Sequence, residues 1–138
     1  MTRLSALRRR KAPAPPKLNL EAMMHALPEP LLVVAQESGI RYVNFEAQQF
    51  FGTGAPAMIG RRLDEFLPAD SPVHAMVAQA LSQAISLSDY GVTLETPRIG
   101  RRSVIVTVAP MGDPADAVLV KLDELSMAGR IDNQLTRR

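Results

Sequence analysis

Apolar residues in this chain recur at two different spacings, and the order in which those spacings alternate leaves few folds open. Two short strand-like runs come first, residues 31–36 (Leu31-Leu32-Val33-Val34-Ala35-Gln36) and 40–44 (Ile40-Arg41-Tyr42-Val43-Asn44), joined by Glu37-Ser38-Gly39. A helix-rich middle follows, and three further strands are predicted near 90–96, 103–109 and 117–123. A two-plus-three split of strands around helices predicts an α+β domain, a five-stranded antiparallel sheet with helices on one face. The segment 124–138 then leaves the sheet as a predicted helix with nothing after it in the chain to pack on.

At 138 residues the chain suits one domain, and its 46% apolar content argues against global disorder. It contains no cysteine, which excludes disulfides, thiolate nucleophiles and Cys-ligated zinc or iron–sulfur sites and fits a cytoplasmic setting. No apolar run approaches the roughly 18 residues of a membrane span, and no signal-peptide core follows the basic start. The formal charge of +2 is a sum of unlike parts. Residues 1–17 carry six basic groups (Arg3, Arg8, Arg9, Arg10, Lys11, Lys17) and no acid; the other 10 basic and 14 acidic residues leave the remainder at −4. Such a run can touch nucleic acid or anionic lipid. Here no aromatic interleaves it and no apolar face accompanies it, while Pro13, Pro15 and Pro16 extend it. The expectation for 1–17 is a solvated, disordered leader without a nucleic-acid or membrane partner.

Leu20, Met23, Met24 and Leu27 have the spacing of an amphipathic helix, with Asn19 as N-cap and Pro28 and Pro30 as stops. This predicts a helical cap that packs on the sheet or on a second copy of itself, with His25 off the stripe and exposed. Asn44 is placed to cap a short helix, 45–51, that Gly52-Thr53-Gly54 and Pro56 end. A second short helix is expected near 62–67, closed by Pro68. The third is the clearest element. Val73, Met76, Val77, Ala80, Leu81, Ala84 and Ile85 form one continuous stripe, and Ser71-Pro72 supplies its N-cap and first residue. In the strand at 103–109, Val104, Val106 and Val108 form a buried face and Ile105, Thr107 and Ala109 a partly covered one. Residues 97–100 read as the hairpin loop before it, and Gly112-Asp113-Pro114 as the turn after it.

The run Tyr42-Val43-Asn44-Phe45-Glu46-Ala47-Gln48-Gln49-Phe50-Phe51 resembles the second strand and first helix of a PAS domain. More narrowly, Tyr90-Gly91-Val92-Thr93-Leu94 through Gly100-Arg101-Arg102-Ser103-Val104, with Lys121-Leu122-Asp123-Glu124-Leu125 and Asp132-Asn133-Gln134-Leu135, resembles the N-terminal sensor domain of NtrB-type nitrogen-regulation histidine kinases. The resemblance implies a PAS sensor domain over 18–123 and a connector helix over 124–138 leading toward a kinase core outside this sequence. It implies a bacterial two-component nitrogen-regulation (nitrogen-fixation) setting. The parent kinase would use ATP and magnesium, phosphorylate an NtrC-type response regulator and answer to a PII-type protein. This sequence holds neither the phosphoacceptor His motif nor the Asn- and Gly-rich ATP-binding boxes of that family. The fragment itself is therefore expected not to be an enzyme, and direct contact with PII is not expected of it.

Independent signals of chemistry are sparse. The two histidines, His25 and His74, have no carboxylate at helical spacing on a shared apolar-edged face, and Gly52-Thr53-Gly54 lacks the Lys and downstream Gly of a phosphate loop. No metal cluster is visible, and flavin chemistry through an adduct-forming Cys has no Cys to use. His74 lies roughly 80° from the centre of its helix stripe by helical counting. Leu67-Pro68…His74 resembles the segment that carries the axial ligand in haem-binding PAS sensors, and imidazole is a competent ligand. The plainer reading is a boundary histidine bonded to solvent or Ser71, with no cofactor. The helical-layer residues Phe50, Phe51, Met58, Ile59, Leu63, Phe66, Leu67, Met76, Val77 and Leu81 are expected to face the sheet. Among them Phe50, Met58, Phe66, Met76, Val77 and Leu81 either line a metabolite pocket or, as such sets more often do, simply fill the core.

Leu125, Ala128, Ile131 and Leu135 fall near heptad spacing, with Gly129 a weak point, and read as a connector helix. Together with Leu20, Met23, Met24 and Leu27 they predict a dimer and signalling interface. The expected function is a sensory and dimerisation module of a histidine kinase. The alternative is a haem- or metabolite-binding sensor that uses His74 or the helical-layer pocket.

Overall fold

The computed structural model describes residues 14–36 and 39–125. A short helix α1 (Leu20–Ala26) precedes strands β1 (Leu31–Ala35) and β2 (Gly39–Val43). Helices α2 (Phe45–Phe51) and α3 (Ala55–Met58), a 3-10 turn (Leu63–Glu65) and α4 (Pro72–Gln83) follow. Strands β3 (Leu87–Thr96), β4 (Gly100–Met111) and β5 (Ala117–Glu124) complete the fold. The strands form one antiparallel sheet in the order β2-β1-β5-β4-β3, so the two chain-distant groups of strands meet at the β1–β5 pairing.

One face of the sheet carries the core. Val104, Val106 and Val108 of β4 are buried there, as their alternation predicts, with Leu32, Ile40, Val92, Leu94, Val118, Val120 and Leu122 beside them. The helical layer closes this face with Phe50, Phe51, Met58, Leu63, Leu67, Val73, Met76, Val77 and Ala80. The opposite face has a smaller apolar cluster of Val33, Ala35 and Ala117 with Tyr42 and Leu119 packed on it. β1 is consequently buried along its whole length, which explains its unbroken Leu31-Leu32-Val33-Val34-Ala35 run.

Several expectations change. Pro56 does not end structure; it sits in the first turn of α3, where a proline removes no helical hydrogen bond. The helix expected near 62–67 is a single 3-10 turn. α4 stops at Gln83, because Ala84 adopts a left-handed conformation (φ 54°), and Ile85 lies beyond the helix and is exposed. Ile59 is exposed and does not face the sheet, since it follows α3 in extended conformation. β3 starts three residues earlier than predicted, and Tyr90 sits at an irregularity between Asp89 and Val92 with its side chain in solvent.

β5 includes Glu124, and the Leu125 amide still donates to the Ser103 carbonyl (2.9 Å). The sheet ladder thus continues past the residue where a connector helix was expected to begin. Ala128, Ile131 and Leu135, and most of the leader, lie outside the described residues.

Gly39 is required where it stands. Its φ is +73°, and a Cβ there would collide with the Arg61 carbonyl, which accepts the Ile40 amide at 2.8 Å. The Gly60 amide donates to the Ile40 carbonyl (2.7 Å), so β2 is stitched to the loop after α3 on both sides of Ile40.

Candidate functional site

Among the described residues, a buried polar constellation gathers around Asn44, between β2 and α2. Its side chain is fully buried and makes four hydrogen bonds. Oδ1 accepts the Ala47 amide (2.9 Å), capping α2, and the Leu31 amide (2.9 Å), fixing the start of β1. Nδ2 donates to the carbonyls of Met24 and Glu29 (both 3.0 Å), at the end of α1 and in the link to β1. Both donors and both acceptor directions of the amide are used, so its burial leaves nothing unsatisfied. The sequence pattern identified the cap; the long-range bonds carry no local sequence signal.

The cap helix α1 rests on this clamp. It contains no buried residue. Asn19 caps its start by accepting the Ala22 amide (3.0 Å). Of its stripe, Leu20, Met23 and Leu27 are exposed and only Met24 is half-buried. The stripe therefore does not pack on this chain's sheet.

His25 departs from expectation. It is half-buried, with its ring stacked on that of Phe45 at 3.7 Å. Its Nδ1 accepts the Phe45 amide (3.1 Å) and lies 3.5 Å from the Tyr42 hydroxyl. Nε2 lies 3.3 Å from that hydroxyl and 3.7 Å from Glu21 Oε1, so a carboxylate four residues back does share its face, contrary to expectation. The helical count placed it off the α1 stripe correctly, but the face it occupies is the one turned toward α2. Burial, and secondarily the Glu21 carboxylate, hold the Tyr42 phenol above its ordinary pKa of 10.0.

His74 is half-buried and its Nε2–H donates to the Pro68 carbonyl (2.9 Å). Ser71 takes no part in that bond; its hydroxyl accepts the Val73 amide. That ring nitrogen is thus engaged in clasping the turn before α4, and the haem alternative gains no support from the geometry.

The six pocket candidates do not converge on one cavity. Val77 and Leu81 line, with His74, an open cleft of about 860 Å³ between α4 and the β1–β2 end. Phe66 borders a second cleft and Phe50 a third. Met58 is wholly buried, and it and Met76 belong to the core cluster. Among the described residues no group of His, Asp and Glu is arranged to hold a metal ion, and no helix is long and apolar enough to cross a membrane.

Comparison with known proteins agrees with this architecture. The PAS fold family matches residues 18–122. The chain is 45% identical over 126 residues to the sensory histidine kinase/phosphatase NtrB of Azospirillum brasilense, covering 91% of this chain and 32% of that protein. It is 30% identical over 118 residues to the NtrB of Rhizobium meliloti (strain 1021), covering 85% of this chain and 31% of the relative. The chain thus spans about a third of the length of these curated relatives. Among solved structures, the PAS domain of nitrogen regulation protein NR(II) from Vibrio parahaemolyticus superposes with a TM-score of 0.67 at 22% identity, over 78% of this chain and 99% of that one. A LOV protein of Rhodobacter sphaeroides gives a TM-score of 0.66 at 17% identity, over 80% of this chain and 67% of that one, a likeness of fold alone. The chain belongs to the PAS family.

Proposed function

We propose that this domain is the sensory and dimerisation module of an NtrB-type histidine kinase, and that it works without catalysing a reaction itself. The observation that carries the reading is the state of α1: clamped to the core by Asn44, yet presenting Leu20, Met23 and Leu27 to solvent. A helix held in a fixed pose with its apolar stripe outward is suited to meet a second copy of itself across a two-fold axis. The similarity to sensory histidine kinases supplies the setting. In that setting two sensor domains held in register bias the kinase between discrete arrangements. The proposed partners of the whole protein are an NtrC-type response regulator and a PII-type regulator, both engaged outside this domain.

Sedimentation velocity over a concentration series tests the proposal. The expected result is a reversible dimer that the double variant Met23→Asp/Leu27→Asp converts to monomer with unchanged circular dichroism. A wild-type protein that stays monomeric at high concentration would overturn the assembly mode. So would a double variant that dimerises as well as wild type.

A further inference from the structure

We infer that His25 is a proton-operated latch on the cap helix. Its imidazole joins three elements. It belongs to α1, stacks on Phe45 of α2 and touches the Tyr42 hydroxyl of β2. The Phe45 amide can only donate, so Nδ1, 3.1 Å away, must present a lone pair. The docked ring is therefore neutral, with its proton on Nε2 toward Tyr42 and Glu21.

Adding a proton to Nδ1 turns this contact into two N–H groups facing each other. The ring cannot keep its place, and the first amide of α2 loses its acceptor. The groups around the ring set the balance. Glu21 on α1, at 3.7 Å, and the face of the Phe45 ring both favour the cation. The Glu21 side chain is 74% exposed, so its pull is weak. Tyr42 on β2 is a neutral phenol held above its ordinary pKa, and it adds no charge at neutral or acid pH. On α2, Phe45 is uncharged and Glu46 is the next residue along. The positive end of α2 opposes a cation. A protonated His25 keeps its partner within α1, Glu21, and gives up its partner in α2. That bond works beside the Asn44 bond to the Met24 carbonyl, so its loss loosens the seating of α1 without freeing the helix.

The inference concerns the same cap as the proposed dimer but does not require the dimer. The test is NMR on the full chain between about pH 8 and about pH 5. It follows the ring nitrogens of His25 and the exchange protection of the Phe45 amide, corrected for intrinsic rate. The neutral ring should carry its proton on Nε2. Phe45 protection should fall with the same midpoint as the ring titration, by roughly fivefold, the factor that one amide hydrogen bond is worth. His25→Asn, whose Oδ1 can take the place of Nδ1 and does not titrate, should keep Phe45 protected across the range. The same response in Met23→Asp/Leu27→Asp separates the latch from assembly. An Nδ1–H tautomer in the neutral protein would overturn the inference. Phe45 protection that ignores the ring titration, or falls equally in His25→Asn, would do the same.

Discussion

The side-chain amide of Asn44 donates to the Met24 carbonyl at 3.0 Å, across twenty residues of sequence, and so ties the cap helix to the end of β2. The same side chain caps α2 and orients the first residue of β1. One buried residue thus sets the relative placement of two helices and two strands.

Gly39→Ala should destabilise the domain more than Gly60→Ala. Both glycines have positive φ, but only at Gly39 would a Cβ meet backbone, the Arg61 carbonyl; at Gly60 nothing lies within 4 Å. Backbone strain alone costs about 1–3 kcal/mol at each site, and the collision adds to it at Gly39. Thermal melts of the two variants check this, and equal losses would mean that the β2 contact yields easily.

Val106→Asp should destabilise the domain strongly, because it places an unpaired carboxylate at a fully buried position at a cost of roughly 3–5 kcal/mol. Leu81→Asp should be tolerated with a loss of about 1–2 kcal/mol, since Leu81 is half-buried on the open cleft rather than enclosed. Circular dichroism melts separate the two outcomes.

His74→Ala should leave the fold intact and cost about 1 kcal/mol, the worth of its bond to the Pro68 carbonyl. The purified wild-type protein should show no Soret absorption. A Soret band that vanishes in His74→Ala would restore the haem reading.

The Tyr42 phenol is held above its ordinary pKa by burial first and Glu21 second. A raised folded-state pKa contributes stability that is present below the ordinary value near 10.0 and lost as pH rises through the folded value. Stability should therefore fall above about pH 10, and Tyr42→Phe in a Tyr90→Phe background should lessen that fall. Denaturant melts at alkaline pH measure it.

The sheet and the helix order were legible in the sequence because burial imposes a period. Val104, Val106 and Val108 alternate, Val73, Met76, Val77 and Ala80 recur helically, and both sets fall in the core. The single-turn elements were not legible: α3 was missed and the 3-10 turn at Leu63–Glu65 was expected as a longer helix, because one turn has no period to read. The site was half legible. Asn44 as a cap follows from a local pattern, whereas its bonds to Met24, Glu29 and Leu31 are made by chain folding. His25 was misplaced for the same reason: its partners, Tyr42 and Phe45, come from another part of the chain.

Sedimentation velocity of Asn44→Asp tests most directly whether the clamp holds the cap for assembly. Aspartate keeps the acceptor for the Leu31 and Ala47 amides but replaces the donor to Met24 and Glu29 with an oxygen facing two carbonyls. The account predicts a monomer that retains the circular dichroism of the sheet and helical layer. An Asn44→Asp protein that keeps that spectrum and dimerises with wild-type affinity would contradict it.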